Sequence, residues 1–131
     1  FSENCNLKKL SFQHGNIDNE CARIIATKLT KNNTVEYLDL SYNGLTPESS
    51  ILIINSIAHK NNIHTLKLKS FGWLRYTLSF HDEVAPLLEN NYSITCLKLN
   101  DSSSLSSNLA RIIERNTKQK DIARFKRQKI C

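Results

Sequence analysis

The stretch "VEYLDLSYNGL", Val35 to Leu45, sets its large apolar side chains at Val35, Leu38, Leu40 and Leu45, with an asparagine at Asn43. Strict alternation would predict a half-buried strand and a 3.6-residue period a helix, and this spacing follows neither from end to end. The same frame returns along the chain. Leu7, Leu10 and Phe12 stand 28 residues earlier in "NLKKLSF", and Ile63, Leu66 and Leu68 stand 28 later in "NIHTLKL". A further 31 positions reach Ile94, Leu97 and Leu99 in "SITCLKL". Another 28 reach Ile122 and Phe125 in "DIARFKR", where the third position is Arg127 and the frame breaks.

Each copy has a second half. Ile25, Ile53 and Ile112 follow the third apolar strand position by 13 residues, and Val84 follows by 16 in the longer third copy. Around them lie apolar residues at helical spacing: Ala22, Ala26 and Leu29; Ile54 and Ile57; Ala85 and Leu88; Leu109 and Ile113. Thr46-Pro47-Glu48 reads as a helix cap followed by proline at the first helical position. Each unit is therefore expected to be a short strand, a turn and a helix. One such unit cannot bury its own apolar face, so neighbouring units must stack.

The pattern L-x-x-L-x-L-x-x-N-x-L resembles a leucine-rich repeat. A period of about 28 residues with a helix resembles the long, ribonuclease-inhibitor-like class. The resemblance implies an α/β solenoid with a parallel sheet on the concave face and helices on the convex face. It divides a single domain, residues 1–131, into repeats at about 6–33, 34–61, 62–92 and 93–120, with a degenerate C-terminal cap at 121–131. The asparagine that satisfies turn backbone in the family is present only as Asn43; Gly15, Phe71 and Ser102 hold the matching positions. Short arrays of this kind also occur in host-directed effectors of intracellular bacteria, and the asparagine- and lysine-rich composition is compatible with such a source.

Length and composition fit one ordered domain: 131 residues, 40% apolar, three glycines and two prolines. No apolar run approaches the ~20 residues of a membrane span. The chain opens on Phe1 and has no methionine, so it is expected to be a piece of a longer protein. Cys5, Cys21, Cys96 and Cys131 are scattered without a CxxC pair. Free thiols in a reducing, cytoplasmic compartment are expected (for an effector, the host cytosol). The sequons at Asn32 and Asn91 carry little weight in an asparagine-rich chain. The net charge of +6 is concentrated: Arg115 to Lys129 holds seven basic residues and one acidic, and the remainder balances 11 against 11.

Strand alternation directs Lys9, Ser11 and Gln13, Tyr37, Asp39 and Ser41, Thr65, Lys67 and Lys69, and Cys96, Lys98 and Asn100 away from the core. If a fifth strand forms, Arg124, Lys126 and Gln128 join them. A row of like charges across strands is costly unless a partner offsets it. The expected contact surface is therefore Lys9, Tyr37, Asp39, Lys67, Lys69, Lys98, Arg124 and Lys126, facing an acidic protein. The loop "SFGWLRYTLSFHDE" adds Arg75 and Tyr76, types typical of interface hot spots. Trp73 and Phe71 in the same loop read as core or as interface.

The resemblance implies a recognition module that binds another protein. A second reading has the basic C-terminal segment bind nucleic acid or an anionic membrane. A third has the open sheet edges pair with a second copy. No HExxH, phosphate loop or nucleophile elbow occurs, and His14, His59, His64 and His81 are singletons, so neither catalysis nor a metal or other cofactor is expected. His81 and Asp82 read as surface or capping residues.

Overall fold

The computed structural model describes residues 6–70, 77–100 and 105–130. Four three-residue strands alternate with four helices: β1 (Lys9–Ser11), α1 (Asn19–Leu29), β2 (Tyr37–Asp39), α2 (Pro47–Ile57), β3 (Thr65–Lys67), α3 (Leu78–Leu88), β4 (Cys96–Lys98) and α4 (Ser107–Ile130). The strands form one parallel sheet in chain order. Leu10, Leu38, Leu66 and Leu97 face one another as direct register partners. Parallel strands need a crossover between them, and α1, α2 and α3 supply it.

The core lies between sheet and helices. Val35, Leu38, Leu40, Ile63, Leu66, Leu68, Ile94, Leu97 and Leu99 meet Ala22, Leu29, Ile53, Ile54, Ile57, Val84, Leu88, Leu109 and Ile112, all buried. Ile25 and Ile113 pack against this cluster from its margin. The spacing places Leu7 and Phe12 inside, but they are 49% and 44% exposed. β1 sits at the sheet edge, so its unit is covered on one side only. Thr46 caps α2 as expected, accepting from the Ser49 amide, and Pro47 opens the helix where its missing N–H costs nothing. Asp18 and Thr77 cap α1 and α3 in the same way.

The broken fifth copy forms no strand. Ile122 and Phe125 lie on α4, a 24-residue helix, and are 55% and 57% exposed. The lost third apolar position at Arg127 explains this, since that segment has no apolar stripe to lay on the sheet. Residues 93–120 and the expected cap at 121–131 therefore do not divide where the periodicity placed the boundary: α4 runs across it.

Asparagines hold the corners. Asn43 Nδ2 donates to the Phe12, Leu40 and Ser41 carbonyls, and its Oδ1 accepts from the Gly15 and Ile17 amides. It serves the turn of the preceding unit as well as its own. Tyr42 and Gly44 flank it with positive φ, 60° and 64°. At the opposite corners Asn32 and Asn91 are buried. Asn32 Oδ1 accepts from Thr34 and Val35, and Asn91 Oδ1 accepts from Ser93 and Ile94. Asn91 Nδ2 also donates to the Ala58 and Lys60 carbonyls of the unit before it. Both sequon asparagines are thus internal struts.

Candidate functional site

The face of the sheet turned from the helices carries the charged row that alternation predicts. Lys9, Tyr37, Thr65 and Cys96 are register partners, as are Ser11, Asp39, Lys67 and Lys98. Tyr37 is the centre of this surface. The Lys9 ammonium lies 4.6 Å from its ring centroid and the Lys67 ammonium 5.2 Å, so two cations share one aromatic ring. Interaction with the Tyr37 side chain, and then the charge of Asp39, holds the Lys67 pKa above its usual value. Lys67 therefore stays cationic across physiological pH. Lys67 and Lys98 stand directly opposite on adjacent strands. Among the described residues Lys9, Lys67, Lys69 and Lys98 make no ion pair, so their charge is left for solvent or a partner.

Asp39 is corrected as a contact residue. It is 1% exposed, accepts from Gln13 Nε2 at 2.6 Å and from the Ser41 amide at 3.0 Å, and closes the end of β2. Strand alternation turned it outward correctly, but spacing carries no sign that Gln13 would cover it. Arg124 and Lys126 are exposed on α4 and belong to no strand, so they do not join this sheet face. Arg75, Tyr76, Trp73 and Phe71 lie outside the described residues. The surface brought together is therefore Lys9, Tyr37, Lys67, Lys69 and Lys98, with His14 and Tyr42 stacked beside it at 4.9 Å.

The basic C-terminal segment divides in two. Arg115 is structural: its guanidinium donates to the Glu89 and Asn91 carbonyls at 2.8 and 2.6 Å, to Asn116 Oδ1, and lies 4.1 Å over the Tyr92 ring. Asn116, which interrupts the apolar spacing of its helix, is fully buried and donates to the Ile94 carbonyl. Arg111 pairs with Glu89 at 2.9 Å. These contacts clasp the first half of α4 to α3 and the β4 corner. Residues 117–128 are all exposed, with five basic side chains and one acidic. Sequence reasoning missed the clasp because a charge run has no periodicity to show which of its members turns inward.

His81 is likewise corrected. It is 1% exposed, and its Nδ1 accepts from the Ser106 amide at 3.0 Å. Burial holds its pKa below the ordinary histidine value. His64 and Cys96 stay one position out of register, as the spacing implies, since Cys96 partners Thr65 and His64 Nδ1 meets the Ser93 carbonyl. Among the described residues no group of three or more His, Cys, Asp or Glu could hold a metal ion. No helix among them is long and apolar enough to cross a membrane.

No family model and no curated protein sequence matches the chain. Solved structures do. The chain is similar to leiomodin-1 actin-binding site 2, with a TM-score of 0.83 and 21% identity over 98% of this chain and 74% of that one. It is also similar to the tropomodulin C-terminal domain of Caenorhabditis elegans, with a TM-score of 0.76 and 18% identity over 89% and 70%. The fold is that of these domains: a small mixed α/β unit with a four-stranded parallel sheet and four helices. The leucine-rich-repeat assignment, with its ribonuclease-inhibitor-like class and its bacterial-effector reading, is corrected by this likeness. The physical departures agree: one turn asparagine, three-residue strands, and a single helix, α4, running through the segment read as a degenerate cap.

Proposed function

We propose that this chain is a non-catalytic protein-binding domain and that its contact surface is the open sheet face around Tyr37. The observation that carries the binding role is the likeness, over nearly the whole chain, to a domain of leiomodin-1 that is an actin-binding site. Actin is accordingly the first partner to test. Lys9 and Lys67 over the Tyr37 ring, with Lys98 directly opposite Lys67, support an acidic counterpart, because unpaired like charges on adjacent strands are relieved by a partner of opposite sign. Tyr37 supplies the rigid apolar body that interfaces favour.

The test is titration of purified actin, monomeric and filamentous, with wild type and with Lys67→Glu/Lys69→Glu/Lys98→Glu. Saturable binding by wild type, weakened at least about tenfold in the variant, supports both partner and surface; tenfold corresponds to about 1.4 kcal/mol. Equal binding by both chains removes the sheet face. Absence of binding by wild type removes actin, and a lysate capture with the same pair then asks whether any protein depends on this face. A second reading rests on residues 117–128, whose five basic side chains are all exposed. They suit a nucleic acid or an anionic membrane, and binding of that kind falls steeply with salt.

A further inference from the structure

α4 is held to the body up to Asn116 and then continues beyond it. The helical face that carries Asn116 goes on through Lys120, Ala123 and Arg127, spaced by four, three and four residues. Under this overhang lies a cleft of about 570 Å³. Its wall on the body side comes from the two helix-to-strand corners, with His59, His64, Asn90 and Tyr92; Lys120 and Arg127 close it from α4. Among the described residues no carboxylate lines it. Neither Lys120 nor Arg127 makes an ion pair among the described residues. Ala123, between them on the same face, is too small to fill the gap.

We infer that this cleft binds a small anion with two phosphate groups, such as a pyrophosphate or a bisphosphate ester. Size is the first argument: small-ligand sites run from about 300 to 1,000 Å³. Spacing is the second. Seven residues of helix separate Lys120 from Arg127 by roughly 10 Å, a distance that two linked anionic groups bridge and one does not. Chemistry is the third. Arg127 offers a fork suited to two phosphate oxygens and Lys120 a point charge. The His59 ring, the Asn90 amide and the Tyr92 hydroxyl can supply further donors. Arg115, stacked on the Tyr92 ring and tied to the Asn91 carbonyl, fixes that wall from behind.

The test is calorimetric titration of the whole chain with pyrophosphate, with inorganic phosphate and with inositol bisphosphate-bearing vesicles, against wild type, Lys120→Gln, Arg127→Gln and Arg124→Gln. Arg124 lies on α4 outside the cleft and controls for net charge. Saturable binding of pyrophosphate, weakened at least tenfold by Lys120→Gln and by Arg127→Gln but less than twofold by Arg124→Gln, establishes the site. Vesicle binding with the same variant pattern assigns the phosphates to a lipid headgroup; pyrophosphate binding alone assigns them to a soluble ligand. Equal weakening in all three variants, binding of inorganic phosphate as tight as that of pyrophosphate, or no saturation overturns the inference.

Discussion

Leu66 is fully buried between two leucine register partners, so its removal leaves a cavity that the flanking strands cannot close. Leu66→Ala is expected to lower unfolding free energy in urea by roughly 2–5 kcal/mol. A loss below about 1 kcal/mol, the range of surface changes, would place it outside the core. Asn43 has no apolar role, yet five backbone groups depend on its side chain. Asn43→Ala orphans several of them at once and is expected to cost on the order of 3 kcal/mol in the same assay, since each stranded buried group costs about 1–3. His81 gives a pH signature. Its folded pKa is lowered, so the unfolded chain binds a proton that the folded chain resists. Stability is therefore whole above the ordinary histidine value of 6.5 and declines as pH falls below it. Protonation also sets an Nδ1–H against the Ser106 N–H. The thermal midpoint of wild type should drop between pH 7 and 5, and His81→Gln should flatten that drop. At this scale the sequence shows Leu66 by its recurrence and Asn43 by its place in the turn. It hides His81, because one histidine near a helix start looks the same whether it turns in or out.

Elements were legible where an apolar period was complete. Each of the four strands lies within an expected unit, and the helices over Ile25, Ile53 and Val84 fall where their spacing predicts. Where the period was broken, the boundary between α4 and a separate cap was not legible. Ile122 and Phe125 kept the strand frame by number, but without a third apolar residue the segment gains more from extending α4 than from joining a sheet. The second half of α4 touches little, which yields a prediction. A chain ending at Lys118 should lose less than about 1 kcal/mol in urea, because residues 119–128 are exposed throughout. Arg115→Ala, by contrast, removes the clasp on the Glu89 and Asn91 carbonyls and should lower stability by roughly 1–3 kcal/mol through groups left unpaired.

For the whole molecule, the fold is that of a leiomodin and tropomodulin domain, and the charge pattern decides what is particular to this chain. Lys9, Lys67, Lys69 and Lys98 with Tyr37 form one basic surface on the sheet, and the exposed half of α4 forms a second; only Arg124 and Lys126, by their conditional place in the strand frame, were assigned to both. β1 and β4 are the sheet edges, and strands this short blunt edge pairing; light scattering of the dilute chain should return a monomer. The surfaces are separated most directly by lysine acylation read by mass spectrometry, with and without the saturating protein partner. The account predicts that Lys67, Lys69 and Lys98 are protected in the complex while Lys28, Lys31 and Lys118 label as in the free chain. Protection confined to the α4 lysines, with Lys67, Lys69 and Lys98 labelled as freely as before, would contradict it.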